Sequence, residues 1–382
     1  MRLNQMDRKT FYDLVTPQST IAVKIGSRIL SSPTKAASVK RIRTLVEDIV
    51  ELKKKNVSVV LISSGAIAHG MHALGLSKRP TEIPLQQACA SIGQHHLMQM
   101  YDSLFAPYHI VTGQVLLTWD DLRDKTRYLN LRNTLFHLLN RMVIPVVNEN
   151  DSVGIEEIRF GDNDTLGAQI AMCINAGMYI ILTDVDGLYE GNPHACRNAR
   201  QIPVVPRITP EIRKLVMEKK STISVGGMAT KLGAAEMVTR AGIPALIGNG
   251  YSRRLSALLS EAKAGTLFMP SERKMKSRQR WIAFAGKSRG TLRIDTGACS
   301  AITRKGKSLL PAGIKNVSGT FKSGDTVEIH DEKRTLLARG LTNYSSEEIK
   351  LICGRNSSEI SSRLGQKSFD EVIHRDNMVL MQ

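Results

Sequence analysis

The sequence has few of the features that mark secreted, membrane or disulfide-bonded proteins. No apolar run reaches the roughly 18 residues that a membrane helix needs. The N-terminal segment MRLNQMDRKTFYDL carries charges where a signal peptide has an apolar run. The five cysteines are scattered, odd in number, and form no Cys-x-x-Cys pair. This disfavours a disulfide framework or a structural zinc site and is typical of a reducing compartment. We therefore expect a cytoplasmic protein without a membrane segment.

Aromatic and acidic side chains are also scarce. Aromatic residues make up 5% of the 382 residues while 42% are hydrophobic, so the cores must be mainly aliphatic. Lys and Arg number 53 against 35 Asp and Glu, a net charge of +18, and residues 271–382 hold 21 of the former and 12 of the latter. Half of the positive excess therefore lies in the last 112 residues. Such an excess attracts phosphate-bearing partners, either a nucleic acid or a small polyanion such as ATP.

The usual phosphate-binding loop is missing. Two Gly-Lys-Ser tripeptides occur, at 286–288 and 306–308, but the glycine that a P-loop needs five residues upstream is Trp281 in one case and Ala301 in the other. A P-loop ATPase is therefore excluded, and any phosphate site must be built in another way.

Short β-branched apolar runs alternate with longer helical patterns from residue 20 to about residue 270. The runs are TIAVKI (20–25), VSVVLIS (57–63), VIPVVN (143–148), YIILTDV (179–185) and IPALIG (243–248), and helical patterns cover 39–55, 85–104, 130–140 and 231–240. Nearly continuous hydrophobic strands that alternate with helices are typical of a parallel sheet covered on both faces. We predict an α/β domain over 20–270, with an open, mostly parallel sheet sandwiched by helices, after an N-terminal extension of residues 1–19.

The composition changes after residue 270. Residues 273–280 contain five basic residues in eight, so we interpret 271–278 as a basic linker. Short alternating strand candidates separated by Gly-containing turns follow, among them TLRID (291–295) and VSGTFKSGDTVEIHD (317–331). They predict a small β-rich, barrel-like domain over 279–361. We expect residues 362–382 to form a polar, loosely packed tail.

Three glycine-bearing turns lie where open α/β sheets bind ligands, at the carboxyl ends of strands. Lys24 lies in an otherwise apolar strand and is followed closely by Gly26; the segment 63–66 leaves a strand and enters a helix; the segment 226–231 opens another helix and contains Lys231. Two lysines and two glycine turns can hold a triphosphate and stabilise a phosphoryl group in transfer. The alternative for Lys24 is an edge-strand lysine with its charge in solvent.

Two acidic clusters, 148–151 and 161–164, follow a strand or lie in a loop. Their Asn, Asp and Gly residues are also the ordinary residues of polar turns. Beyond the end of a sheet, however, these carboxylates and amides are able to bind an ammonium group, or to hold lysines and a metal in register. The pair Thr183-Asp184 ends another strand and is a candidate nucleotide contact.

In order and spacing, several segments resemble the amino-acid kinase family over about residues 20–270. They are VKIGS (23–27), SSGAIAHG (63–70), GQVLLT (113–118), NENDSV (148–153), FGDNDTLGA (160–168), LTDVDGLY (182–189) and GGMATKLGAAEMVTRAGI (226–243). The glycine turns are shared by the whole family, whereas NENDxV with GDNDxL is specific to the members that phosphorylate free glutamate. Residues 279–361 resemble the PUA domain that follows the kinase domain in many bacterial members of that kind.

The resemblance implies roles for individual residues. The implied catalytic residues are Lys24, Lys231 and Asp164. The implied substrate-binding residues are Ser64, Gly65, Ala66, Asn148, Asp151, Asp162 and Asn163. The implied ATP-binding residues are Lys24, Gly26, Thr183, Asp184, Val225, Gly226, Gly227, Met228, Ala229, Thr230 and Lys231. No residue is assigned to a metal. Arg28 and the turn Ser224-Val225 depart from the usual family pattern.

The resemblance also implies an activity and partners. The expected reaction is ATP-dependent phosphorylation of the γ-carboxylate of L-glutamate to L-glutamyl 5-phosphate, the first step of proline biosynthesis, with ATP and Mg²⁺. A homo-oligomer, feedback inhibition by proline and transfer of the product to a glutamyl phosphate reductase are further expectations. The nearest alternatives are family members that act on acetylglutamate, aspartate or nucleotides. RNA binding through the PUA-like domain is the alternative from another class, although the C-terminal third offers few aromatic side chains for base stacking.

Overall fold

The computed structural model describes residues 16–30, 35–154, 163–191, 199–217, 227–261, 264–271, 275–365 and 369–381. These residues form two compact units. The first holds residues 16–122 and 126–271, and the second holds residues 275–381 together with Arg123–Lys125. Within the described ranges, no helix combines the length and the apolarity that crossing a membrane requires.

The elements up to residue 271 alternate between strands and helices. The strands are β1 (Thr20–Ile25), β2 (Ser58–Ser63), β3 (Thr112–Leu117), β4 (Ile144–Glu149), β5 (Met178–Thr183), β6 (Val204–Val205), β7 (Ala245–Asn249) and β8 (Thr266–Phe268). The helices are α1 (Ser27–Leu30), α2 (Lys35–Lys54), α3 (Ala66–Ala73), α4 (Ile83–Phe105), α5 (Trp119–Arg123), α6 (Lys125–Asn140), α7 (Asn163–Cys173), α8 (Pro210–Met217), α9 (Met228–Arg240) and α10 (Leu255–Ser260).

The strands form one eight-stranded sheet in the order β3-β4-β2-β1-β5-β7-β8-β6. All its described pairings are parallel except that between β7 and β8. This confirms the predicted mostly parallel α/β sheet, and each of the five predicted apolar runs overlaps a strand. The edge strand β3 was not predicted from hydrophobicity, because only Leu117 among its residues is buried.

The alternation of side chains along β1 separates a core face from a functional face. Ile21, Val23 and Ile25 belong to a hydrophobic core formed with residues of α2, α4 and α10. Successive side chains of a strand point to opposite faces, so Ala22 and Lys24 lie on the other face, where α7 and α9 supply the neighbours of Lys24. The alternation of side chains along β1 therefore points the buried Lys24 side chain towards α7 and α9.

The helices α3 and α4 pack at a distance that only glycine permits. A Cβ atom on Gly93 would lie 1.7 Å from the carbonyl oxygen of Ala66, and a Cβ atom on Gly70 would lie 1.8 Å from the carbonyl oxygen of Cys89. Both distances are far inside van der Waals contact. This close packing brings the residue after Gly93, Gln94, towards the carboxyl end of the sheet.

The elements from residue 275 onward belong to the second unit. The strands are β9 (Ser288–Ile294), β10 (Ile314–Gly319), β11 (Thr326–His330), β12 (Leu336–Leu341) and β13 (Met378–Leu380), and the helices are α11 (Ser277–Arg280), α12 (Thr296–Thr303), α13 (Ser346–Ile352) and α14 (Ile360–Leu364), with a π-helical turn at Trp281–Ala285. The strands form a five-stranded sheet in the order β10-β9-β11-β12-β13. Its core contains apolar residues of the strands and of α12, α13 and α14. A small β-rich second domain was predicted, and this unit matches it.

The expectation of a loosely packed C-terminal tail was wrong. The strand β13 pairs antiparallel with β12, and Val372 and Ile373 are fully buried in the core of the second unit. The Tyr344 hydroxyl donates a hydrogen bond to the carbonyl oxygen of Phe369. The segment escaped the sequence analysis because its apolar residues come in short groups between polar residues, too few for a periodic pattern.

We expect two glycine-to-alanine substitutions, one at the contact between α3 and α4 and one away from it, to change the stability in opposite directions. Gly93→Ala should destabilise the protein by about 1–3 kcal/mol, because the helices must move apart to admit the methyl group. Gly233→Ala is the matched control: a Cβ atom there has nothing within 4 Å, and alanine in an exposed helix stabilises by up to about 1 kcal/mol. Thermal unfolding measures both. An unchanged Tm for Gly93→Ala would contradict the close packing.

Candidate active site

The site candidates follow strands that are neighbours in the sheet. Parallel strands end at the same edge, and here Ile25 of β1 is in register with Ser63 of β2 and with Leu182 of β5. Gly26, Ser64 and Thr183 therefore come together from three different parts of the sequence. This edge is where open α/β sheets bind ligands.

Asp164 binds two lysines from different elements. It is the second residue of α7, and its Oδ1 lies 2.6 Å from Lys24 Nζ of β1 while its Oδ2 lies 3.1 Å from Lys231 Nζ of α9. The lysine side chains are 8% exposed and that of Asp164 is 1% exposed. Two ammonium groups share one carboxylate, so a net positive charge remains in a region with little water. A phosphate group is the kind of ligand that can neutralise it.

The pKa values of the cluster show how strongly its charges act on one another. Burial alone would raise the pKa of Asp164, but Lys24 and Lys231 outweigh burial and hold this pKa below its ordinary value. Burial lowers the pKa of Lys231, and Asp164 opposes that change while Lys24 adds to it. The carboxylate is therefore what allows two ammonium groups to lie buried at the same place.

Further contacts fix the position of Asp164. The Thr230 hydroxyl donates a hydrogen bond to Asp164 Oδ2 over 3.0 Å. The Tyr179 hydroxyl donates to the main-chain carbonyl of Asp164 over 2.8 Å. A Cβ atom on Gly167 would lie 2.3 Å from that hydroxyl, so a glycine is needed one turn along α7. The catalytic candidate is thus held by its side chain and by its backbone.

The residue before Asp164 belongs to a second, uncharged cluster. Asn163 Nδ2 donates to Ser64 Oγ over 2.8 Å and to Asn148 Oδ1 over 3.1 Å. Asn148 Nδ2 donates in turn to Gln94 Oε1 over 3.0 Å. All four residues are buried. Gln94 Nε2 has no hydrogen-bond partner among the residues that the structure describes, which leaves a buried donor available to a ligand.

Asp151 is a buried carboxylate of a different kind. It lies just beyond β4, is 6% exposed, and its Oδ1 accepts no hydrogen bond within the described part of the chain. Burial raises the pKa of Asp151 to about 6, and the positive charge of Arg79 opposes that rise. A desolvated carboxylate without a donor is costly. It is therefore suited to a ligand that brings a positive charge.

The carboxyl end of β5 carries the candidate nucleotide contacts. Asp184 forms an ion pair with Arg28 of α1 and accepts a hydrogen bond from the Thr183 hydroxyl over 3.1 Å. Burial raises the pKa of Asp184, but the Arg28 guanidinium outweighs burial and keeps this pKa below its ordinary value. The backbone of Gly26 donates to the carbonyl oxygen of Leu182 over 3.0 Å, and a Cβ atom on Gly26 would lie 3.1 Å from the same oxygen. A small residue is favoured there.

The structure brings most of the predicted residues together. Lys24, Lys231 and Asp164 are in direct contact, and so are Ser64, Asn148 and Asn163. Gly65 and Ala66 lie at the start of α3 beside Ser64, and Gly65 has a φ of +97°, which favours glycine. Gly227 precedes α9, and Met228, Ala229 and Thr230 form its first turn. The predicted residues Asp162, Val225 and Gly226 lie outside the described residues.

Several residues of the site were not predicted from the sequence. Gln94 accepts a hydrogen bond from Asn148, and Tyr179 donates one to the backbone of Asp164. Gly167 leaves room for the Tyr179 hydroxyl, and Arg28 pairs with Asp184. Gln94 and Gly167 lie inside helices, and Tyr179 lies inside an apolar strand, where each is compatible with an ordinary core role. The one sequence signal for Gln94 was the glycine before it, in the middle of a long helix.

Comparisons with known proteins show which family the chain belongs to. The sequence model of the amino acid kinase family matches residues 19–249, and that of the PUA domain matches residues 290–364. The chain belongs to the amino acid kinase family.

Its relatives within this family are similar over nearly the whole chain. It is 44% identical to a glutamate 5-kinase of Syntrophotalea carbinolica, over 96% of this chain and 99% of that protein. It is 44% identical to a glutamate 5-kinase of Syntrophus aciditrophicus, over 95% of this chain and 94% of that protein. It is 43% identical to a glutamate 5-kinase of Moorella thermoacetica, over 94% and 96%.

We expect replacement of the two buried carboxylates by amides to change the stability in opposite directions. Because the folded-state pKa of Asp151 is raised to about 6 from 3.8, its ionisation destabilises the ligand-free fold once the pH exceeds both values. Asp151→Asn should therefore raise the Tm at pH 8, by an amount equivalent to at most about 3 kcal/mol, and the gain should shrink at pH 5. Asp164→Asn should lower the Tm at pH 8, because the folded-state pKa of Asp164 is lowered and two buried lysines lose their counter-charge.

Thermal unfolding at pH 5 and pH 8 checks both variants, each serving as the control for the other. A lower Tm for ligand-free Asp151→Asn at pH 8 would contradict the assignment of Asp151 as a carboxylate whose burial the described residues do not offset.

Proposed function

We propose that this chain transfers the γ-phosphoryl group of ATP to the γ-carboxylate of L-glutamate. An oxygen of that carboxylate attacks the γ-phosphorus, the bond to the bridging β–γ oxygen breaks, and the products are L-glutamyl 5-phosphate and ADP. One observation carries the proposal: Asn163 and Asp164 are consecutive, and the first belongs to the uncharged cluster while the second holds the two lysines. An acceptor bound at one residue therefore lies beside a phosphoryl group bound at the next.

In this proposal the lysines stabilise the charge that moves during transfer. Lys24 and Lys231 flank the γ-phosphoryl group and its bridging oxygen, and Asp164 keeps both ammonium groups in place. No side chain needs to act as a nucleophile, because the substrate carboxylate has that role. Fixed positive charges in a region with little water are the main contribution that proteins make to phosphoryl transfer.

The substrate is held by the neutral cluster and by Asp151. Ser64, Asn163 and Asn148 provide hydrogen bonds, with the N–H groups of Gly65 and Ala66 at the start of α3 beside them. Asp151 pairs with the α-ammonium group and thereby gains a positive charge in contact with its carboxylate, which forms no ion pair with the residues that the structure describes. A substrate whose amino group is acetylated offers no such charge.

The ATP molecule lies along the other side of the lysines. Gly26 allows the backbone to approach the phosphates, and Thr183, Asp184 and the first turn of α9 border the nucleotide. Mg²⁺ enters as part of the ATP substrate, bound by phosphate oxygens, which are the hard ligands it prefers. The carboxylates of Asp164 and Asp184 are already paired with Lys24 and Lys231 and with Arg28.

The product of this reaction is an acyl phosphate, which water hydrolyses readily. Direct transfer to a glutamyl phosphate reductase, in the first steps of proline biosynthesis in the cytoplasm, fits such a product, and we extend the proposal to a homo-oligomer that proline inhibits. The chemistry is confined to residues 20–270 in this proposal, and the second unit contributes no group to it.

Removing either lysine should abolish most of the turnover without unfolding the protein. Lys24→Ala and Lys231→Ala should each lower kcat by about 10²–10³-fold, the usual cost of one preorganised group that stabilises a transition state. Lys53→Ala is the matched control, because Lys53 Nζ bonds the carbonyl oxygen of Met142 and not a residue of the site. ADP release measures turnover. A variant of either site lysine that retained a tenth of wild-type kcat would contradict the two-lysine assignment.

Trapping with hydroxylamine tests the proposed reaction directly, because acyl phosphates form hydroxamates. The wild-type protein with MgATP should give hydroxamate from glutamate, and at least about tenfold less from N-acetylglutamate, since a buried carboxylate without its charged partner costs about 1.5–3 kcal/mol. Aspartate, shorter by one methylene, is the second comparison. A preference for N-acetylglutamate or aspartate would overturn the proposed substrate while leaving the family assignment in place.

A further inference from the structure

Gln94 is a buried glutamine whose amide oxygen is hydrogen-bonded while its amide nitrogen is not. It lies inside α4 and is 7% exposed. Its Oε1 accepts a hydrogen bond from Asn148 Nδ2 over 3.0 Å, whereas its Nε2 has no hydrogen-bond partner among the residues that the structure describes. A buried N–H donor without an acceptor is costly. The ligand-free fold therefore contains a donor that an added oxygen atom would satisfy.

The orientation of the Gln94 amide follows from a backbone group. The N–H of Glu149 donates a hydrogen bond to Asn148 Oδ1 over 2.9 Å, and a backbone N–H is always a donor. The Asn148 oxygen therefore faces Glu149 N, and Asn163 Nδ2 donates to the same oxygen. Asn148 then presents its nitrogen, a donor, to Gln94. Because a donor needs an acceptor opposite it, the Gln94 oxygen faces Asn148 and Nε2 lies on the other side of the amide.

Two contacts place Gln94 at the neutral cluster around Asn163. The first is its hydrogen bond with Asn148, which itself accepts a hydrogen bond from Asn163. The second is made by the preceding residue: Gly93 packs so closely on α3 that a Cβ atom there would lie 1.7 Å from the carbonyl oxygen of Ala66. The segment of α4 that carries Gln94 thus contacts both the end of β4 and the first turn of α3. Both segments bind the substrate in the proposed function.

The ligand that best suits this donor is a negatively charged oxygen. A hydrogen bond to a charged group is about twice as strong as one between neutral groups, so a carboxylate gains more from a buried N–H than a hydroxyl or carbonyl does. In the proposed function the phosphoryl group lies at Lys24 and Lys231. The two carboxylates of glutamate are then the negatively charged groups that remain for the neutral cluster.

We propose that Gln94 Nε2 donates a hydrogen bond to a carboxylate oxygen of the amino-acid substrate. This inference rests on the proposed function, since it assigns one more residue to the proposed substrate. The Gln94 amide then has two roles: its oxygen orients Asn148 and its nitrogen binds the substrate.

Two substitutions separate these roles. Gln94→Glu keeps an oxygen towards Asn148 and replaces the donor by a second oxygen, whereas Gln94→Met has a similar length, lacks both polar atoms and adds no charge. At pH 8 each should raise the glutamate KM at least about tenfold, the effect of losing a hydrogen bond to a charged group. The KM for ATP should stay within about twofold of wild type. Steady-state kinetics measure both constants, and thermal unfolding shows that the variants are folded.

Gln99→Glu is the matched control, because Gln99 is an exposed glutamine of the same helix and its replacement should leave both KM values unchanged. A wild-type glutamate KM for Gln94→Glu would overturn the inference, since only the contact with Asn148 would then matter. A wild-type glutamate KM for Gln94→Met would also overturn it, because the effect of Gln94→Glu would then come from the added charge.

Inhibition of the wild type and of Gln94→Met by two analogues identifies the carboxylate that Gln94 binds. The analogues are 4-aminobutyrate, which is glutamate without the α-carboxylate, and 2-aminobutyrate, which is glutamate without the γ-carboxylate. The inhibition constant of the analogue that retains the bound carboxylate should rise about tenfold, and that of the other should stay within about twofold.

Equal rises for both analogues would overturn the inference, because Gln94 would then act on the whole site through Asn148. Unchanged constants for both would overturn it as well. A wild-type protein that does not phosphorylate glutamate would instead overturn the proposed function, and this inference with it.

Discussion

Two buried ammonium groups meet one buried carboxylate at Asp164, and much of the first unit serves to make that arrangement possible. Lys24 comes from a central strand of the sheet, Lys231 from α9 and Asp164 from α7, so three elements must pack together before the two ammonium groups meet their shared carboxylate. Thr230 and Tyr179 bind Asp164 from two further positions, and Gly167 admits Tyr179. A buried charge without a partner is expensive, so Asp164 offsets the cost of burying the two lysines, and the cluster remains positive towards a ligand.

Asp151, beyond the end of β4, is a buried carboxylate whose pKa is shifted in the opposite direction. Its carboxylate is also buried, but its Oδ1 has no donor among the described residues, and its pKa is raised, whereas that of Asp164 is lowered. The difference follows from the neighbours: Asp164 has two cations in contact, and Asp151 has one cation, Arg79, that acts on it without outweighing burial. A buried carboxylate that destabilises the ligand-free fold is stabilised most by a ligand that brings a positive charge. The same sheet edge therefore contains Asp164, which holds the two lysines, and Asp151, which in the proposed reaction pairs with a positively charged group of the substrate.

The neutral cluster around Asn163 depends on how closely α3 and α4 pack. Gly70 and Gly93 let α3 and α4 approach until backbone contacts backbone, and that approach brings Gln94 to Asn148. Substrate recognition in the proposed reaction is therefore coupled to helix packing, and a methyl group added at a helix contact should alter the site as well as the stability.

The sequence alone determined the class of fold and most of the site's members. Continuous β-branched runs predicted five strands of a parallel sheet, because burial on both faces leaves a strong local signal, and the lysine in VKIGS stood out against its apolar neighbours. The half-exposed strand β3 and the C-terminal strand β13 left weaker patterns: β3 was not predicted from hydrophobicity, and residues 362–382 were expected to be loose. Tertiary structure alone decided which charges meet. Lys24, Asp164 and Lys231 are separated by 140 and 67 positions in the sequence, and no local pattern encodes the distances between their charged atoms, or the burial of Asp151 Oδ1 without a donor among the residues that the structure describes. Such facts depend on how helices and strands pack in three dimensions, which periodicity along the chain does not record.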